Sequence, residues 1–487
     1  MRIKGLLLAT CGAWIVGMAA ALIAFHTFST AADPLAMDYA SRLSLGFALT
    51  AIIGMGASRL IFRKLWSEPL CLVLAGLLAL MFIGVAVNMA GYLMVPGASW
   101  ESPALSRDPA YAYSLALLEL KSPEAYGSFN GGYPLLLALL FRVGGTSLLL
   151  PLAVNVLAMF FSAAICARVC TLLLAGRTHW APSRIAWIAA LLFALIPNVA
   201  YMGTMLMKDA LLTLGVSLFI LFLAQLYTGK FTLSGILCCA AGSLLVMLLR
   251  SPYGWVLLLG VIMVGVHALI QKRSITAGPT QWGLMFGLIC CMAIVSGGSH
   301  YRSYSDTQLF NPADPTQTRR NMLSAEVQKA GAPLFDGYYA ASPLERAAYL
   351  PVTAAMQFLT PLPWNYSRDA QMGRFVPWAR VSVLWYLVGG LALAYFAMCI
   401  WKRGSRGGLL PWSLWWLACY LGAAFVSAGT VARYYLPFMA AMVPMAVWVL
   451  YALANQLIRG RYFRKYCLVY GVLLIAGLAI AYKMQKG

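Results

Sequence analysis

Four short segments carry charge where an apolar chain should have none. Asp108 precedes Pro109 in the stretch SRDPAYAY. Its carboxylate can take a proton from an attacking hydroxyl at a membrane surface, although an Asp before Pro equally caps a turn. Lys208 and Asp209 adjoin at the edge of an apolar run, a costly place for ionisable groups. There Lys208 can face a phosphate, while Asp209 holds a second charge, a metal or an acceptor. A plain helix start gives the same letters, with the acid favoured by the helix dipole and the lysine snorkelling outward. Arg250-Ser251-Pro252-Tyr253 forms a tight turn between two apolar runs. Its guanidinium can grip a lipid phosphate bidentately, or simply touch a headgroup. Arg433 poses the same alternatives.

The elements that must position these residues are transmembrane helices. The chain has 487 residues, 62% hydrophobic and only 10% charged. Soluble chains carry about 25% charged residues, so the bilayer must be the solvent here. The fold class is therefore all-α, a polytopic integral membrane protein. Apolar runs long enough to span lie at 5–28, 43–62, 69–95, 147–173, 185–206, 209–228, 233–249, 253–271, 281–298, 379–401, 409–428, 436–455 and 466–483, which makes about thirteen spans. The first is expected to be a retained span rather than a cleaved signal peptide. Residues 133–143 are apolar but short. Four regions follow: an N-terminal hairpin at 1–64, a transmembrane core at 65–298 with an outer loop at 96–133, a second outer segment at 299–378, and C-terminal helices at 379–487. Within the second outer segment, 347–364 reads as an interfacial or re-entrant helix ending at Pro361 and Pro363.

Charge orients the chain. The net charge of +21 is explained by basic cytoplasmic loops rather than by nucleic-acid binding. Arg63, Lys64, Arg177, Arg184, Lys230, Lys272, Arg273, Lys402, Arg403, Arg406 and the cluster from Arg459 to Lys465 share one side with the N-terminus. Of the 14 acids, Glu68 alone falls with them. Acids hardly affect insertion, so their segregation hints at chemistry on the outer face, although longer loops also hold more polar residues. The 11 cysteines all fall in apolar runs, with neither a disulfide framework nor zinc spacing.

A resemblance sharpens this reading. Asp108 in the first large outer loop, a Tyr-containing stretch, then Asn130-Gly131-Gly132 leading into Tyr133-Pro134-Leu135-Leu136 resembles the GT-C glycosyltransferases. The protein O-mannosyltransferase and aminoarabinose transferase family is the most similar. Ile196-Pro197 ends a span as in that family, and Arg433-Tyr434-Tyr435-Leu436-Pro437 resembles its Arg-Tyr-x-x-Pro element. The likeness covers roughly 105–230 and 429–450. The catalytic loop follows the third span here rather than the first, and two extra spans preserve its side of the membrane. The resemblance implies a polyprenyl-phosphate-linked sugar donor, Asp108 as catalytic base, and inversion at the sugar carbon.

Combining both lines, Lys208, Arg250 and Arg433 are expected to bind the donor phosphate. Asp209, Tyr111, Tyr133, Tyr253 and Tyr434 are expected to serve the acceptor or act as charge or metal partners. Trp364 and Tyr366 can stack on sugar rings, or anchor the chain at the interface as such aromatics commonly do. The segment Phe358-Leu359-Thr360-Pro361-Leu362-Pro363-Trp364, with Lys208-Asp209 and Arg250, more loosely resembles bacterial polysaccharide polymerases. No cofactor is established, and a divalent cation is the one candidate. Walker, HExxH and dinucleotide motifs are absent. The expected activity is a GT-C-like inverting glycosyltransferase of a bacterial inner membrane, with its N-terminus cytoplasmic and its active face periplasmic. It would serve a lipid or glycan acceptor in cell-envelope biosynthesis, among membrane lipids and without nucleic acid. The rivals are a polymerase or ligase of lipid-linked oligosaccharide, and a transporter or flippase.

Overall fold

A computed structural model describes residues 33–93, 107–121, 132–229, 232–250, 253–270, 342–359, 382–401, 409–427, 434–457 and 460–486, with a few isolated positions before 33 and between 93 and 107. Every regular element among them is helical. In chain order these are α1 (Asp33–Ile61), α2 (Glu68–Leu93), α3 (Arg107–Lys121), α4 (Gly132–Gly144), α5 (Leu149–Leu174), α6 (Pro182–Ala194), α7 (Pro197–Gly203), α8 (Asp209–Tyr227), α9 (Leu233–Arg250), α10 (Tyr253–Ile270), α11 (Pro343–Ala348), α12 (Leu350–Leu359), α13 (Ser382–Trp401), α14 (Leu410–Ser427), α15 (Met439–Ala454) and α16 (Gly460–Lys486). A 3-10 turn, Leu436–Phe438, leads into α15.

Among the described residues, seven helices are long and apolar enough to cross a membrane, or eight if α6 and α7 count as one bent span. That falls short of the thirteen expected from about twenty apolar residues per span. The run at 281–298 and nearly all of 5–28 lie outside the described residues. The run at 185–206 is no straight span: α6 and α7 meet at 72°. Pro197 stands at the first position of α7 after an extended Ile196, and a proline there cannot continue the preceding ladder. Apolar composition alone does not register such a bend.

Burial separates the centre from the rim. In α8, 89% of the apolar window is buried, against 6% in α16; α16 leaves Leu468, Val472, Leu473 and Ile475 exposed, as a lipid-facing helix does. At the centre, α5 packs on α6 and α8, α8 on α9, and α15 on α5 and α13. The α8–α9 contact is close because glycines meet. A Cβ on Gly215 would lie 3.1 Å from Gly242 O, and one on Gly242 3.0 Å from the Phe219 nitrogen. Without a hydrophobic drive between spans, such small-residue seams let backbones approach and gain dispersion contacts.

Between α7 and α8, residues 204–208 leave the helical ladder, yet Thr204, Met205, Leu206 and Met207 are buried. Non-helical backbone at membrane depth is tolerated where protein surrounds it and supplies partners. Asn88 of α2 supplies them at one end: its Nδ2 donates to Thr204 O (3.2 Å) and Oγ1 (3.1 Å). Asn155 of α5 supplies them at the other, donating to Met205 O (2.6 Å) and Met207 O (3.1 Å).

The 347–364 stretch contains α12, a ten-residue apolar helix; Pro361 and Pro363 lie outside the described residues. Aromatic side chains hold its last carbonyls. Trp385 Nε1 donates to Phe358 O and Tyr386 OH to Leu359 O, both at 2.7 Å. Just before it, α11 opens with a capping box between Ser342 and Glu345. The Ser342 backbone N–H first, and its hydroxyl second, hold the Glu345 carboxyl below its ordinary value.

Candidate functional site

Helix directions bring the charged turns to one end of the bundle. Chain α9 ends at Arg250 where α10 begins at Tyr253, and α8 begins there with Asp209. The Tyr434–Tyr435 turn that precedes α15 joins them: Tyr253 OH donates to Tyr434 O at 2.9 Å. Gly132, at the start of α4, packs so tightly on Leu248 of α9 that a Cβ would meet its carbonyl oxygen at 2.9 Å. That contact seats Tyr133 beside the same end.

Arg250 is clamped by aromatics. Its Cζ lies 4.0 Å from the Tyr434 ring centroid and 5.4 Å from that of Tyr253. Tyr253 in turn stacks on Phe438 at 5.5 Å. Ring faces attract the cation, while the N–H edge of a flat guanidinium remains suited to an oxyanion.

Asp209 opens α8 and is 1% exposed. The helix dipole favours an acid there. Its Oδ1 has no hydrogen-bond partner among the described residues. Arg250 lies within its electrostatic reach, but the ion pair found among the described residues is Arg42–Asp38. A buried carboxylate and a guanidinium thus share a field without sharing a hydrogen bond. Leaving a buried carboxyl oxygen without a hydrogen bond is expensive, and each such exception calls for an explanation.

Tyr133 is the third member. Its hydroxyl is buried with no hydrogen-bond partner within bonding geometry among the described residues, beside the Asn155 side chain and within electrostatic reach of Asp209. Lys208 precedes Asp209 and is half-buried. Behind the group, Tyr435 stacks on Trp385 at 5.3 Å and approaches Tyr420 at 5.9 Å, and Asn198 Nδ2 donates to its hydroxyl at 3.5 Å.

The structure therefore brings together Lys208, Asp209, Arg250, Tyr133, Tyr253 and Tyr434. Asp108 and Tyr111 belong to α3, but their side chains lie outside the described residues, as do Arg433, Trp364 and Tyr366 entirely. The backbone course of α3 is informative. Tyr113 packs edge-on against Phe141 at 5.4 Å and its hydroxyl reaches Thr146 O at 3.1 Å. These contacts place the middle of α3 beside the C-terminal end of α4. Glu119 near the other end of α3 is buried, with Oε2 unpartnered among the described residues.

Asn88, Asn155 and Asn198 are neighbours of the site and of the segment that leads into it that the motif reading missed. Their signal was available: an amide or carboxylate inside an apolar run needs a partner. For a metal, no group of three His, Cys, Asp or Glu side chains exists among the described residues. Asp209 with the Tyr133 hydroxyl is a smaller oxygen set than divalent cations usually gather from protein, and Arg250 opposes it.

No protein family and no curated protein matches the chain. Among solved structures it is similar to an archaeal oligosaccharyltransferase, AglB from Archaeoglobus fulgidus, solved in complex with an inhibitory peptide and a dolichol-phosphate; the TM-score is 0.37 and the identity 14%. That likeness covers 84% of this chain, which spans 55% of the length of the archaeal enzyme.

Proposed function

We propose that this chain is a membrane glycosyltransferase. It moves a sugar from a polyprenyl-phosphate-linked donor to a lipid or glycan acceptor, on the periplasmic face of a bacterial inner membrane. One observation carries the reading: Arg250, over the rings of Tyr434 and Tyr253, stands at the same bundle end as buried Asp209, whose Oδ1 has no hydrogen-bond partner among the described residues. A cation so prepared suits a phosphate that gains charge as it leaves.

The chemistry follows from charge. The acceptor oxygen attacks the anomeric carbon, and its proton passes to a carboxylate. The carbon–oxygen bond to phosphate breaks, and its electron pair stays on the phosphate. Arg250, Lys208 and Arg433 stabilise that growing charge, the kind of term that is often the largest in catalysis. Attack opposite the leaving phosphate inverts the sugar carbon. Asp108 is the proposed base by resemblance. Asp209, buried at the start of α8, is the competing base, and both belong in one experiment.

That experiment is transfer from radiolabelled polyprenyl-phosphate sugars in membranes, comparing wild type with Asp108→Asn, Asp209→Asn and Arg250→Ala. Transfer abolished by Asp108→Asn, with lipid binding retained, supports it as base. Loss in Asp209→Asn alone moves the role there. Wild-type transfer by Arg250→Ala would sink the phosphate site. Chain growth from pyrophosphate-linked oligosaccharide, without transfer from any monosaccharide carrier, makes the protein a polymerase or ligase.

A further inference from the structure

Asn155 sits in the apolar run of α5, 1% exposed. Packing alone does not call for an amide there, since an apolar side chain of similar size avoids the cost of burying polar atoms. The unwound segment beside it does. Carbonyls released from a helix inside a membrane protein have no water to turn to, and one side-chain amide carries two N–H donors. Asn155 directs them at Met205 O and Met207 O, at 2.6 and 3.1 Å. Those carbonyls flank Leu206, and Lys208 and Asp209 follow directly. The Tyr133 side chain is its neighbour. One amide thus touches the backbone that launches two site residues and adjoins a third.

From this geometry we infer that Asn155 is a positioning residue: its amide clamps the unwound segment and thereby sets the aim of Lys208 and Asp209 relative to Arg250. The kinetic consequence rests on the proposed transfer activity; the clamp itself does not.

The test uses the full chain in nanodiscs, with Asn155→Leu and Asn155→Asp beside wild type. Two quantities are read: transfer from a polyprenyl-phosphate sugar, with kcat and KM separated, and amide hydrogen exchange of residues 204–209. Asn155→Leu should lower kcat about 100-fold, the scale of a misplacement near 1 Å. The donor KM should rise much less than kcat falls, because Arg250 remains while Lys208 is displaced. Exchange should quicken in 204–209 and not across the bundle. Asn155→Asp keeps the shape but, when ionised, sets a carboxylate against two carbonyls; protonated, it regains one O–H donor. Its transfer should therefore recover relative to wild type as pH falls, which a merely space-filling role does not produce. Wild-type kcat and unchanged exchange in both variants would overturn the inference, as would an Asn155→Asp pH profile parallel to wild type. If Asn155→Leu does not fold, Asn155→Asp carries the test. If wild type transfers nothing, the functional reading fails, and exchange alone decides the clamp: quickened exchange in 204–209 supports it, unchanged exchange removes it.

Discussion

The two ends of α8 obey different rules. At its C-terminal end, Thr228 Oγ1 donates to Ala224 O and Gln225 O, both at 3.0 Å, and Gly229 takes the left-handed conformation at φ 73°. Both are ordinary ways to close a helix. Cations there lie over rings: Arg177 is 5.5 Å from the Tyr227 centroid and Arg184 4.4 Å from that of Trp180. Tyr227 stacks on His267 at 4.5 Å, and Trp180 meets Tyr451 edge-on at 5.3 Å. The N-terminal end has no side-chain cap at Lys208 and is fed by unwound backbone. Its first acid is buried with an unpartnered oxygen. Both ends hold an Arg on aromatics, so that pairing does not mark a site. The buried unmatched carboxylate does, because folds tolerate such breaches of local rules chiefly where function repays them.

The largest effect expected from this contrast separates two arginines. Arg250→Ala should cut transfer by about 10²–10³-fold, as removal of a charge-stabilising donor does. Arg177→Ala, at the opposite end, should leave kcat/KM near wild type while lowering the unfolding midpoint. Equal losses in both would show that the aromatic clamp serves stability at both ends. Arg250→Lys sharpens the point. A point charge that cannot lie flat or bind bidentately should restore only part of the rate.

Next is the carboxylate. Asp209→Asn removes a buried charge with little change of shape, so relief of desolvation should offset the lost dipole interaction. The unfolding midpoint should stay level or rise while transfer falls about tenfold or more. A fall in both would make Asp209 a structural cap, and the two ends of α8 would cease to differ in kind.

How much of this was legible beforehand follows the same physics. Lys208, Asp209, Arg250 and Tyr434 stood out because an ionisable or amphipathic residue at the edge of an apolar run is costly. Helix position was legible for α2, α5, α8 and α9, whose runs lie within a few residues of the observed bounds. The break at Pro197 was not, because hydropathy averages over a window and is blind to direction. Asn155 and Asn88 stayed hidden for a related reason. A lone amide in an apolar run looks tolerated until the carbonyls it must satisfy are seen, and those belong to a segment more than a hundred residues from Asn88.

The α8–α9 seam tests whether the ends are independent. Gly242→Ala forces a methyl to 2.5 Å from the Gly215 carbonyl oxygen and 3.0 Å from the Phe219 nitrogen, and overpacking of this kind costs about 1–3 kcal/mol. The seam lies between the ends, so unfolding should move more than transfer. A loss of transfer out of proportion to the loss of stability would mean that α9 must hold its register for Arg250 to meet Asp209.

The smallest effect belongs to the regular end. Gly229 has φ 73°, and a Cβ there would meet nothing within 4 Å. Gly229→Ala is therefore opposed by backbone conformation alone, at about 1 kcal/mol. A slightly lower unfolding midpoint in detergent with unaltered kcat and KM is expected. Because α8 is a rigid rod with 89% of its apolar window buried, loosening its last turn should not travel the roughly 27 Å to Asp209. If transfer changes as well, strain does cross α8, and the cap at one end helps set the aim of the acid at the other.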